Sequence, residues 1–413
     1  MSTSSIAPST AFDLSQHTFL VGDEIALRPV TKEDAPYTAS WRASRYPLSP
    51  ETTETWITEQ IGKDAGDPYL IVRTSDGRPV GMLHDLGGGF VARSIRIHID
   101  PLFAEHARRW TIAVYRLVVP WLIDERHAPL LRTHLIDDDP ALQEALVADG
   151  WRETARYPRH RWSSTQATWV DWVALEYLSP HWLDLLGDPA EVPLERTGTG
   201  APRPVPAPIP TPEVIPPQAI AIGERVYLRP LNKDDAMVIS ELSRQETDTI
   251  WSLGRRLQAT MGYAGWTERL QEADPPTWIR FAICLRETQE VIGSLGIVDI
   301  DYVHGTAETE SEIDHVAYRE RGYGSEAKQL LIWYAFERLG LHALRSWVIF
   351  PNTRSAAALR KQGYREAGRI HWAYSLDGGF GNAVVFTLHA DDWRLLPRTT
   401  TSVATDGQEE SHA

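Results

Sequence analysis

A single cysteine, Cys284, stands in 413 residues, so no internal disulfide can staple this chain, and a reducing compartment suits it. Basic residues are in deficit: 41 Lys and Arg face 56 Asp and Glu, a formal charge of −15. That balance argues against a general binder of duplex nucleic acid or of an anionic membrane, since both need a net basic face. It accommodates a cationic or amine substrate. No apolar run approaches the ~20 residues that span a bilayer. The Ser/Thr-rich start has neither a basic n-region nor an apolar h-region, and the expectation is a cytoplasmic protein. Cys284 lies in Phe281-Ala-Ile-Cys-Leu285, which reads as a buried strand, so it is expected to be core and not nucleophile.

What is present first shows itself as a repeat. At this length two or three domains are expected. Gly22-Asp-Glu-Ile-Ala-Leu-Arg-Pro-Val-Thr-Lys-Glu-Asp-Ala35 returns as Gly223-Glu-Arg-Val-Tyr-Leu-Arg-Pro-Leu-Asn-Lys-Asp-Asp-Ala236. Each copy runs an apolar strand into Arg-Pro and then an acidic helix start. The strands at Tyr69–Arg73 and Val80–Leu83 have partners at Ile279–Leu285 and Val291–Val298, and Gly150-Trp-Arg-Glu153 matches Gly363-Tyr-Arg-Glu366. Between the copies, prolines at 202, 204, 206, 208, 210 and 212 forbid helix and sheet pairing and predict a semi-rigid polyproline spacer. The expected organisation is a disordered start (1–15), a first domain (16–186), a Pro-rich linker (187–218), a second domain (219–397) and a disordered tail (398–413).

The second copy carries the stretch that points to chemistry, Val316-Ala-Tyr-Arg-Glu-Arg-Gly-Tyr-Gly-Ser-Glu-Ala327. It reads as a strand end, a glycine turn and a helix start. Ala327, Leu330, Leu331, Tyr334, Ala335 and Leu339 then recur at helical steps. Glycines at 322 and 324 let the backbone approach a ligand, and the free N–H groups of the helix start suit a phosphate or pyrophosphate. A P-loop would need Gly-Lys-Ser/Thr, which is missing. G-x-G-x-x-G/A is formally met by Gly322, Gly324 and Ala327, but the next strand ends in Val348-Ile-Phe-Pro-Asn352 with no acidic residue for a ribose. An ordinary strand-to-helix turn remains an alternative on these residues alone.

Arg319, Gly322 and Gly324 also form R-x-x-G-x-G/A, followed by Asn352-Thr-Arg-Ser355 and Gly363-Tyr-Arg-Glu-Ala-Gly368. In this order the motifs resemble the GNAT superfamily of acyl-CoA-dependent N-acyltransferases, in its RimJ/RimL (ribosomal-protein-alanine acetyltransferase) branch. The resemblance runs from about Ile222 to Trp393. It implies an α/β (α+β) fold, here two tandem GNAT-like domains, each a mixed, mostly antiparallel sheet flanked by helices. It also implies acetyl-CoA or another acyl-CoA as co-substrate, no metal, and a small-molecule or peptide amine as acceptor.

Carried onto this chain, the resemblance implies that Val316, Arg319, Arg321, Gly322, Tyr323, Gly324, Ser325 and Asn352 bind the cofactor. Val316, at the end of a strand spanning about Glu310 to Val316, is expected to turn its N–H to the thioester carbonyl. Glu308, Glu310, Glu312 and Asp314 alternate along that strand and share a face. Glu310 and Glu312 are the expected bases, their mutual repulsion favouring proton uptake. A tyrosine acid of many relatives is replaced by Leu359, and Ser355 is the expected acid, with helix capping as its structural alternative.

The first copy lacks the glycine turn. The loop should fall near Ala104-Glu-His-Ala-Arg-Arg109, with Arg108 and Arg109 crowding a pyrophosphate, so this copy reads as degenerate. Direct phosphate binding by the two guanidinium groups is the alternative. Asp137-Asp-Asp139 resembles a metal cluster but precedes Pro140 and a helical run, which makes it a cap. Trp162, Trp169, Trp172 and Trp182 are assigned to packing. The leading expectation is an N-acetyltransferase with a catalytic second domain, the copies forming an intramolecular pseudo-dimer, with further oligomers open. The alternative is a non-catalytic pseudo-dimer that binds a partner or senses acyl-CoA.

Overall fold

The computed structural model describes residues 19–38, 49–60, 68–85, 91–188, 202, 204–205, 214–244, 260–269, 275–349, 352–376 and 379–398. Residues 1–15, most of the proline spacer and residues 399–413, for which disorder or a polyproline run was expected, lie outside them. The chain divides into two compact units.

In the first unit the strands are β1 (Leu20–Val21), β2 (Ile25–Pro29), β3 (Pro68–Arg73), β4 (Pro79–Asp85), β5 (Ala92–Ile99), β6 (Leu130–Ile136), β7 (Arg152–Ser163) and β8 (Thr168–Leu178). They order β1-β2-β3-β4-β5-β6-β8-β7, antiparallel throughout except for the parallel pair β5–β6. The helices are α1 (Ala35–Thr38), α2 (Pro50–Gln60), α3 (Ala104–Pro120), α4 (Pro140–Ala148) and α5 (Pro180–Leu186). The alternating strands bury one face with Ile25, Leu27, Ile71, Leu83 against Trp110, Val114 and Val118 of α3. The other face buries Ala26, Leu70, Val72 and Met82 with Ile57 of α2. This is the two-faced burial that period-2 strands produce.

In the second unit β9 (Ala221–Ile222), β10 (Val226–Pro230), β11 (Ile279–Leu285), β12 (Val291–Asp301), β13 (Thr306–Glu312) and β14 (Ala343–Ile349) lie side by side in that order, followed by β16 (Gly379–His389) and β15 (Arg365–Leu376). The pair β13–β14 is parallel. Its helices are α6 (Lys233–Arg244), α7 (Thr260–Arg269), α8 (Tyr323–Trp333), α9 (Thr353–Lys361) and α10 (Ala390–Arg394). Along β11 the faces alternate: Phe281 meets Tyr334 just beyond α8, ring centroids 5.2 Å apart, whereas the Arg280 guanidinium lies 5.2 Å from the Trp266 ring of α7. Cys284 is buried with Tyr227, Ile239 and Tyr263.

Equivalent elements recur 213 residues apart: Leu130–Ile136 against Ala343–Ile349, Pro140–Ala148 against Thr353–Lys361, and the π-helical turns Trp121–Glu125 against Tyr334–Arg338. One boundary differs from the expected 219–397: Gly368–Ala383, the far part of the β15–β16 hairpin, belongs to the first unit. There Trp372 is buried with Val91, Leu130 and Leu178, and Glu176 accepts from His371 Nδ1 at 2.8 Å and pairs with Arg132 at 2.6 Å. Gly368 is required at its place, because at φ +146 a Cβ would come within 2.3 Å of the Thr154 carbonyl. The local turn signals around Gly363 carry no information about where the hairpin ends up packing.

The repeated Leu-Arg-Pro text has the same job in both units. Arg28 donates to both oxygens of Asp34 at 2.7 and 2.6 Å, and Arg229 to both of Asp235 at 2.5 and 2.7 Å. Each pair clamps a strand end to the following helix start.

Candidate acyl-CoA cleft

Three local facts open a cleft in the second unit. The first is the parallel pairing of β13 and β14, which covers only Thr306↔Ala343, Ala307↔Leu344 and Glu308↔Arg345. Beyond it the two strands part, and side chains bridge the gap: Ser346 Oγ donates to the Thr309 carbonyl at 3.0 Å and Thr309 Oγ1 shares 2.9 Å with the buried Tyr364 hydroxyl. The second is the turn before α8. Gly322 is the N-cap residue in the left-handed region (φ 87), where a Cβ is strained. The third is how that turn is moored. Arg319 Nε donates to the Ile313 carbonyl at 2.8 Å. Arg225 reaches the Arg321 carbonyl (2.9 Å) and the Glu326 carboxylate (2.9 Å).

The resulting cleft has a volume of about 810 Å³ and runs from Gly322, Gly324 and Ser325 into the gap between β13 and β14. The first N–H groups of α8 face its mouth, where the helix dipole favours an anion. A Cβ on Gly324 would lie 3.3 Å from Ile313, so a larger side chain there fills the passage.

Of the predicted residues, Glu310, Glu312, Ser355, Arg319, Gly322, Gly324, Ser325 and Asn352 all line this cleft. Three do not. The strand stops at Glu312, short of the expected Val316, and Val316 opens a 3-10 turn with its side chain 53% exposed. Past the strand end, the His315 N–H still bonds to the Ile292 carbonyl of β12. Arg321 is exposed, holding Arg225 through its carbonyl. Tyr323 lies under the Arg225 guanidinium at 4.6 Å and edge-on to Tyr318; both belong to the moorings of the turn.

The carboxylates also differ from the expected uniform row. Asp314 lies past the strand, buried, and accepts from Ser243 at 3.1 Å. Glu308 is held by Arg345 (3.1 Å) and Trp347 Nε1 (2.8 Å). Its burial pushes the carboxyl up, with Arg345 opposing. Glu310 lies 2.8 Å from the buried Arg280, and Gly296 leaves room for it, a Cβ there standing 3.1 Å from its Oε1. The partner of Glu310 is therefore a cation, in place of the neighbouring carboxylate.

Capping falls to Asn352, whose Oδ1 accepts from the Ser355 N–H at 3.0 Å. Ser355 sits one turn in, on the cleft side. Leu359, at the place of the missing tyrosine, is buried against the same cleft.

One lining residue escaped the sequence reading. Lys328 is 2% exposed, opens on the cleft and has no hydrogen bond or ion pair with a described residue. Burial lowers its amine from the ordinary lysine value to about 7, Glu310 and Glu308 pulling the other way. The sequence held a signal for it: 328 is four residues after Gly324 and three before Leu331, on the apolar face of the helix. That face is set by Ala327, Leu331 and Ala335, all fully buried, with Leu330 and Tyr334 only partly so.

The first unit has the same parting of strands, with Thr133 Oγ1 donating to the Ile95 carbonyl at 3.0 Å, but no glycine turn. The stretch expected to be a loop, Ala104–Arg109, is helical from Ala104. In the 213-residue register, α3 thus covers the places of Gly322 and Gly324, and Tyr115 stands for Lys328, buried on the Thr133 hydroxyl at 2.7 Å. Arg108 and Arg109 pair with Asp139 (2.8 Å) and Glu24 (2.7 Å), so the guanidinium groups proposed for phosphate already have carboxylate partners. Asp139 also caps α4, accepting from the Leu142 N–H. Among the described residues no group of three His, Cys, Asp or Glu side chains is placed to hold a metal, and no helix is long and apolar enough to cross a membrane.

Residues 225–365 match the family profile of the acetyltransferase (GNAT) domain. Over 109 residues the chain is 32% identical to the uncharacterized N-acetyltransferase p20 of Bacillus licheniformis, covering 26% of this chain and 61% of that protein. It therefore spans less than two thirds of that relative's length. Over 151 residues it is 25% identical to the uncharacterized N-acetyltransferase YoaA of Bacillus subtilis (strain 168), covering 34% and 85%. Among solved structures, the spermidine N-acetyltransferase of Vibrio cholerae in complex with CoA and spermine is similar over 42% of this chain and 99% of that one, at 16% identity and a TM-score of 0.39. The family match falls within the second unit.

Proposed function

We propose that the second unit transfers an acetyl group from acetyl-CoA directly to a primary amine, and that the first unit is a copy that has lost acyl-CoA binding. One observation carries this reading: the cleft that joins the glycine turn of α8 to the parting of β13 and β14. Gly322, Gly324 and Ser325 with the α8 N-terminus hold the pyrophosphate, and Arg319 keeps the turn against Ile313. The pantetheine arm lies in the strand gap, where β13 stays paired with β12 but its β14-facing side has no partner strand. The thioester is already activated, so alignment of the amine supplies much of the acceleration. Glu310 or Glu312 removes the amine proton; a proton taken up by Glu310 would break its pair with Arg280. Ser355 donates to the departing thiolate. The motif order resembling the ribosomal-protein-alanine branch puts protein N-termini beside small amines as acceptors to be tried.

Release of free CoA from acetyl-CoA, followed with a thiol reagent over a panel of small primary amines and N-terminal peptides, tests the reading. Amine-dependent release is expected, and Gly324→Val should abolish it together with CoA binding. A second reading is favoured by the arginines on Glu308 and Glu310: a non-catalytic protein that senses acyl-CoA. Tight calorimetric binding of acetyl-CoA without turnover of any amine would select it.

A further inference from the structure

Lys328 differs from the charged groups around it at the cleft. Glu308 and Glu310 have arginine partners, Arg319 is bonded to Ile313, and Arg354 lies 3.3 Å from Glu320 on the rim. Lys361 of α9 is only partly buried. Lys328 alone among these is buried to 2% exposure, and it lines the cleft. It lies four residues below Gly324, just over one helical turn or about 6 Å along the axis from the mouth. An acyl-CoA that enters the strand gap from the turn passes its amine. In the first unit the equivalent place is a tyrosine closed onto Thr133, so an apolar or hydrogen-bonded side chain fits this position of the fold. A lysine there is a property of the second unit's cleft.

Resting on the acyl-CoA reading, we infer that Lys328 is itself an acyl acceptor: with no other amine bound, its ε-amine takes the acyl group from the cofactor held in the cleft. The Nζ lone pair adds to the thioester carbonyl carbon. A C–N bond forms as the C–S bond breaks, the electron pair leaves on the CoA sulfur, and the proton lost from nitrogen ends on that thiolate. The products are the ε-amide and free CoA. A neutral amine is the nucleophilic form, and the burial that lowers Lys328 to about 7 supplies it near neutrality. The amide removes the titratable group and adds bulk inside the cleft, so the modification switches the unit off. A bound amine competes with it, which couples the active fraction to the supply of acceptor.

The test uses the full chain and acetyl-CoA carrying a labelled acetyl group, with peptide mass spectrometry and calorimetric titration of CoA run on the same samples. The expected result is label concentrated on Lys328, not on Lys361, at a rate that climbs through about pH 7 and then levels. Excess unlabelled CoA should suppress it. Lys328→Arg should bind CoA within a few-fold of the unaltered chain and carry no label at that position. Gly324→Val, which keeps Lys328, should lose both binding and label. CoA binding with no label at 328, or with label distributed as on the heat-unfolded chain, overturns this inference while leaving the acyl-CoA reading intact. Absence of CoA binding overturns both.

Discussion

At the residue scale, Ser355 and Asn352 show how adjacent polar residues separate once partners are known. Asn352 Oδ1 holds the Ser355 N–H, so Asn352→Ala should cost about 1 kcal/mol of stability, read as a lowered melting temperature. Ser355→Ala should leave the melting temperature nearly unchanged and lower kcat with CoA affinity preserved, the signature of a group that acts in the transition state. Full turnover in Ser355→Ala would remove it from the chemistry. If one of the two carboxylates is the base, Glu310→Gln or Glu312→Gln should reduce kcat by ~10²-fold. Full turnover in both variants would leave proton removal to water.

At the scale of elements, the moorings matter more than the motif. Glu326 accepts from Arg225 N–H and Nε and ties the start of α8 to the turn before β10. Glu326→Ala should weaken CoA binding without touching the cleft, because the turn would lose its fixed position. Unchanged affinity in calorimetry would show the glycine turn to be self-sufficient. The strand clamp of the first unit makes a pH prediction. Burial pushes the Asp34 carboxyl up, but Arg28 and the Thr31 N–H outweigh it and hold the group below the usual carboxylate range. A depressed carboxyl contributes stability that is complete above its unfolded value, about 3.9, and is lost as pH falls through the folded one. Asp34→Asn should therefore cost about 3 kcal/mol near neutrality, where it strands Arg28, and less in acid. A constant penalty across the acid titration would dissociate Asp34 from the ion pair.

At the scale of the whole molecule, the two units repeat one order of elements yet differ where ligand would bind. With α3 running through the place of the glycine turn and Arg108 and Arg109 paired, titration of CoA into the full chain should give one site per chain. Two equivalent sites would show that the first unit binds without the turn.

Much of this was legible without coordinates, for identifiable reasons. The repeat, the strands flanking Arg-Pro, the buried Cys284 and the glycine turn are local signals: periodicity, apolar runs and the need for a missing Cβ at Gly322 act within a few residues. The helix face of α8 was read, but Lys328 on that face was passed over because a charged residue breaks the apolar pattern used to find it. Tertiary structure alone decided the rest. Where β13 and β14 part depends on pairing between segments more than thirty residues apart. Whether Glu310 stands beside a carboxylate or beside Arg280 depends on strand register across the sheet. That β13 ends at Glu312, leaving Val316 outside the cleft lining, shows only in the folded backbone. Sequence fixes which groups are available for chemistry; which of them keep a free lone pair or a free charge depends on the partners that distant strands and helices bring.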